Sequence, residues 1–92
     1  AYMEVKYQNI MDREAQIDAL LNDASSGWKT SRMSKVDLTI LRLAVYEMKF
    51  DEDVPVKVAI NEAVEMAKRF GQDGSASFIN GILGTISRTL SE

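Results

Sequence analysis

Three carboxylates, Glu47, Glu62 and Glu65, are placed where an acid/base reaction could be sought in this chain of 92 residues. A hydrolase or lyase of that kind needs two carboxylates that face one site. Helical geometry opposes this, because it sets Glu47 on the inner side of one helix and Glu62 and Glu65 on the outer side of the next. The chain has no cysteine and no histidine. Thiol nucleophiles, Cys/His zinc centres and histidine catalysis are therefore excluded. Glu47 falls among Val36, Ile40 and Leu43, so its charge needs donors there, most simply from the N-terminus of the next helix. Neither a metal nor a cofactor is expected.

Nucleic-acid chemistry is the second possibility. The net charge is −3, yet it is unevenly spread. Residues 28–50 hold Lys29, Arg32, Lys35, Arg42 and Lys49 against only Asp37 and Glu47. On a helix, Lys35, Thr39, Arg42, Tyr46 and Lys49 share an arc of about 80°, a basic stripe with one aromatic. Cations there fit phosphate and the tyrosine fits a base, although a solvated face has the same composition. Phe78 is the other aromatic of interest. It lies near a helix start beside Ser75 and Ser77, on a helix that also carries Gly81 and Gly84. Two glycines inside a helix cost about 1 kcal/mol each relative to alanine, so something is expected to approach that backbone closely, either a neighbouring helix or a ligand. Phe78 itself fits a stacking surface beside free helix amides or a place in the core.

These residues need helices to position them. No alternating apolar and polar run is bounded by hairpin signals, whereas three-four spacing recurs along most of the chain, so the fold is all-α. A compact bundle of about four to five helices in one domain spanning residues 1–92 is expected. Met3, Tyr7, Ile10, Ile17, Leu21 and Ala24 predict one long helix from about Tyr2 to Ala24, with Glu14 at a place where an apolar residue is due. Ser25, Ser26 and Gly27 end it, and Trp28 is expected to anchor the reversal.

Ser34 is the N-cap of a central helix to Phe50, with Asp37 three residues on. A third helix follows Pro55, with Val56, Ala59, Ile60, Ala63, Ala67 and Phe70 as its core stripe and Gly71 as its stop. Gln72, Asp73 and Gly74 form a turn, and Ser75 is the expected N-cap of a last helix reaching about Thr89. Its core side is Ile79, Ile82, Leu83, Ile86 and Leu90. No apolar run approaches the roughly 20 residues of a membrane span, and the N-terminus lacks the pattern of a signal peptide, so no membrane association and a cytoplasmic setting are expected.

Three segments, KVDLTILRLAVYEM at Lys35 to Met48, VPVKVAINEAVEMAKRFG at Val54 to Gly71 and SASFINGILGTI at Ser75 to Ile86, resemble the NusB family of bacterial antitermination factors in order and spacing. The resemblance is close over the last two thirds of the chain and looser over the first helix. It implies two small helical subdomains, no catalysis, and binding of boxA-type RNA together with ribosomal protein NusE. Other Nus factors and RNA polymerase would be indirect partners.

Phe78 falls where the family's RNA-contacting aromatic sits, with Ser75, Ser77 and Gly74 around it. Lys35 and Arg42 of the basic stripe are the further RNA candidates. Asp37 and Ser31 fall where the family meets NusE. Gly74 departs from the pattern, since an acidic residue is frequent there. Members also begin with two further helices and an arginine-rich segment. The chain therefore resembles a shortened relative, for which self-association through an uncovered surface is expected. The alternative is the RNA-recruiting domain of a ribosomal RNA cytosine methyltransferase, a family that resembles NusB at its N-terminus.

Overall fold

The computed structural model describes residues 2–25 and 29–91. Five α-helices are present: α1 Tyr2–Asp12, α2 Glu14–Ala24, α3 Lys35–Phe50, α4 Val56–Phe70 and α5 Ser75–Ser91, with a short 3-10 turn, Thr30–Arg32, leading into α3. Among the described residues there is no strand. Trp28, expected as an anchor, lies outside them together with Ser26 and Gly27.

The expected single N-terminal helix is two helices. Arg13 interrupts it with φ −111° and ψ 12°, and its N–H donates to the Ile10 carbonyl at 3.1 Å, three residues back instead of four. A further reason lies in the side chains. The Arg13 guanidinium sits 5.0 Å from the centre of the Phe50 ring and also donates to the Asn9 carbonyl at 3.2 Å. The next residue, Glu14, is bound to Arg42 at 2.9 Å. The apolar phase that failed at Glu14 is thus recovered by a bend. Ile17 and Leu21 beyond it are fully buried, while Met3 and Tyr7 before it stay exposed.

The core joins α2, α3, α4 and α5, and its largest sealed side chains, Ile17, Leu21, Leu41, Val45, Ile79, Leu83 and Ile86, come from α2, α3 and α5. Each contributes about 1.5–3 kcal/mol by leaving water. On α4 the fully buried residues are alanines alone, Ala59, Ala63 and Ala67, with Ile60 and Met66 partly buried against the core beside them. Phe70 does not complete this stripe. It is 65% exposed, with the Arg69 guanidinium 5.6 Å from its ring centre. It lies one residue before the stop at Gly71, whose N–H bonds the Ala67 carbonyl at 2.9 Å.

Two expectations for α3 also change. Tyr46 belongs to the core rather than to an exposed stripe, at 8% exposure, with its ring centre 5.9 Å from that of Phe50. Glu47 obtains its donor from α1, not from a helix terminus: Lys6 Nζ lies 2.6 Å from Glu47 Oε2 and 3.8 Å from Asp51. The ammonium thereby supplies a charge-assisted bond to a carboxylate on the inner side of the helix.

A cleft between α3 and the start of α5

Ser34 caps α3 as expected, its Oγ accepting the Asp37 N–H at 3.1 Å. The cap sets Asp37 in the first turn, where a carboxylate meets the positive end of the helix. Ser75 takes a different part from the one expected. It is the first residue of α5, and its buried hydroxyl accepts the Gln72 N–H at 2.9 Å while donating to Asp37 Oδ2 at 3.2 Å. The turn before α5 therefore closes on a side chain 38 residues away. Asp37 Oδ1 is buried without a hydrogen-bond partner among the described residues.

Glycine is required twice in this turn. Gly74 has φ +88°, where a side chain costs about 1–2 kcal/mol. A Cβ on Gly71 would stand 2.6 Å from Ser75 Cβ and 2.7 Å from Ser75 Oγ, closer than any real side chain can approach.

These contacts border a cleft of about 490 Å³ lined by Arg32, Met33, Ser34 and Asp37 on one side and Gln72, Asp73, Gly74, Ser75 and Phe78 on the other. Phe78 is half-buried against the core and also lines the cleft. The N-terminus of α5 is at the same end, where the helix dipole favours an anion, although the Ser75 N–H is already bonded to the Gln72 carbonyl at 3.0 Å. An aromatic face, an arginine and a helix N-terminus around a space of this size suit a nucleotide unit.

The structure brings together Phe78, Ser75, Gly74 and Asp37, and separates the other candidates from them. Ser31 and Lys35 are exposed beside the cleft without lining it. Ser77 is on the far side of the turn, in a groove with Asn61, Lys68 and Asn80. Arg42 is on another face. Its guanidinium donates to both oxygens of Asp18, at 2.9 and 2.7 Å. The hydrogen bond to Asp18 holds it above its ordinary pKa, against burial, with the charges of Asp18 and Glu14 adding to the effect.

Gly81 has nothing within 4 Å of an added Cβ, and Gly84 meets only Arg88 at 3.7 Å. Among the described residues no helix uses the close approach that they allow. Arg32, Asp73 and Met33 line the cleft without having been singled out by sequence. Their segments are a short turn and a loop, so no helical periodicity marks them.

A facing pair of catalytic carboxylates is not formed, since Glu47 is bound to Lys6 and Glu65 pairs with Lys68 at 3.4 Å on the surface. Among the described residues no helix is long and apolar enough to cross a membrane, and no group of three or more acidic, histidine or cysteine side chains is arranged to hold a metal ion.

A family model described as NusB matches residues 1–88, which extends the likeness through the first helix. The chain is 56% identical over 85 residues to the transcription antitermination protein NusB of Lachnoclostridium phytofermentans, covering 92% of this chain and 64% of that protein. It is equally 56% identical over 82 residues to the protein of the same name from Agathobacter rectalis, covering 89% and 63%. A solved structure of T. maritima NusB superposes with a TM-score of 0.86 at 41% identity, over 90% of this chain and 58% of that one. The chain thus spans less than two thirds of the length of these relatives, whose names are those of antitermination proteins and not of enzymes. With sequence, family model and five-helix architecture in agreement, the chain belongs to the NusB family.

Proposed function

We propose that this chain is an RNA-binding part of a transcription antitermination factor, acting in the cytoplasm on boxA-type RNA together with ribosomal protein NusE. The observation that carries the reading is Phe78, which lines the cleft at the positive end of α5 beside Asp37 and Arg32. A base stacks on Phe78 while its phosphate meets the α5 amides and Arg32. Ser75 and Gly74 hold the turn, with Ser77 and Lys35 at the margins. NusE engages the start of α3 and the turn before it, at Asp37 and Ser31. Arg42, held by Asp18 and Glu14, is assigned to the fold and not to RNA.

The names of the relatives favour the antitermination reading over the methyltransferase alternative. A second part of the proposal is self-association, supported by the exposed Met3, Val5, Tyr7 and Met11 of α1. The test of RNA function is fluorescence anisotropy with a labelled boxA-type oligonucleotide, with and without NusE. Binding that is saturable and weaker for a scrambled oligonucleotide supports the reading. No binding in either condition, for this chain and for the same residues within a full-length relative, contradicts it.

A further inference from the structure

Two asparagines stand in the middle of helices without serving the fold. Asn61 in α4 and Asn80 in α5 are exposed, and neither carboxamide has a hydrogen-bond partner among the described residues. Asparagine is one of the poorer helix formers, because its side chain competes for the backbone. Both residues line one groove of about 520 Å³ between α4 and α5, together with Glu65, Lys68 and Ser77. Lys68 meets Glu65 at 3.4 Å with both side chains more than half exposed, a pair that water weakens and a ligand can exchange. Gly81, next to Asn80, leaves the α5 backbone open on this helix, with nothing within 4 Å of an added Cβ.

The groove runs into the cleft at Phe78. A smaller space of about 270 Å³ shares Lys68 and Ser77 with the groove, and Gln72, Asp73 and Gly74 with the cleft. Gly74, at the crossing, also has nothing within 4 Å of an added Cβ. We propose that the α4–α5 groove is a second nucleotide site, in which Asn61 and Asn80 read a base edge and Lys68 takes a phosphate of the strand that stacks on Phe78. This rests on the function proposed above and extends it. A carboxamide offers an acceptor beside donors, which matches a base edge such as that of adenine, and single-stranded RNA exposes such edges. A helix is about 10–12 Å across, or three to four nucleotides at the stacked spacing of about 3.4 Å, so one strand can fill both sites. Protein docking sites centre on large apolar anchors, whereas only Val64 and Ala76 of this groove are apolar.

The test uses a boxA-type oligonucleotide carrying about four extra nucleotides at each end, enough to cross α5, and shortened stepwise from either end. Its affinity is measured by fluorescence anisotropy with NusE present, in the unaltered chain, in Asn61→Ala combined with Asn80→Ala, in Lys68→Gln and in Phe78→Leu. The unaltered chain is expected to lose affinity in two separate steps. Without the asparagines one step disappears: the longest oligonucleotide binds about 5- to 150-fold more weakly, the value of one bidentate base contact, while the shortest that still depends on Phe78 binds as before. Lys68→Gln should flatten the salt dependence for the long oligonucleotide by about 0.7, one phosphate on a single strand, and not for the short one. The alanine variants should melt no lower than the unaltered chain, since alanine is the better helix former.

The inference is overturned if the asparagine variant binds the long oligonucleotide undiminished, or if it loses as much with the short one. A lower melting temperature would assign the asparagines to the fold, and weaker NusE binding without RNA would assign the groove to a protein; either result also overturns it. In all of these cases the proposed function stands as long as Phe78→Leu still weakens RNA binding. If the unaltered chain binds no length of oligonucleotide, that function fails and the second site with it.

Discussion

Phe78 is half core and half surface, and a useful substitution must separate the two. Leucine keeps much of the apolar volume and removes the ring, so Phe78→Leu should lower RNA affinity by about 1–3 kcal/mol, the value of one stacked base, with a much smaller change in melting temperature. At Gly74 the effect is reversed. Gly74→Ala strains a backbone at φ +88° and should cost about 1–2 kcal/mol in urea unfolding, since nothing crowds a Cβ there. Phe78 and the glycine turn were legible in sequence because aromatic and glycine positions carry local meaning. The bond from Ser75 to Asp37 was not, because it joins residues 38 apart and no helical pattern reports which side chains meet across the fold.

Helix boundaries at α3, α4 and α5 followed from Ser34, Pro55 and Gly71, whose effects are local. The break at Arg13 did not, because α1 and α2 have similar apolar spacing and the bend depends on Arg13 over Phe50 and Glu14 on Arg42. Polar contacts between elements therefore carry the arrangement of α1. Lys6→Met leaves Glu47 without the Lys6 donor and should destabilise the fold by about 1–3 kcal/mol in urea, whereas Lys6→Met combined with Glu47→Leu should recover most of the loss.

Arg42→Ala should likewise reduce stability by freeing α2 from α3. Because its folded pKa is raised, the Arg42 contribution is fully present below the unfolded value and is lost only as pH rises through the folded one. An unchanged melting temperature in either Lys6→Met or Arg42→Ala would contradict this assignment.

For the whole molecule, charge sets how RNA is held. The net charge is −3, and the cations beside the cleft are Arg32 and Lys35, so bulk attraction is weak and contact is local. Neutralising about two phosphates gives a slope of about −1.4 for the logarithm of affinity against that of salt concentration. A slope several times steeper would place RNA on a different, more basic surface. The exposed apolar side chains of α1 predict concentration-dependent association by sedimentation equilibrium, and a clean monomer at high concentration would count against it. The most direct test of the central claim, that the cleft at Phe78 binds RNA, is titration of boxA-type RNA with NusE present, comparing the unaltered chain with Phe78→Leu. A loss of about 5- to 150-fold in affinity is predicted from one stacked base. Equal affinities for the two folded proteins would contradict it.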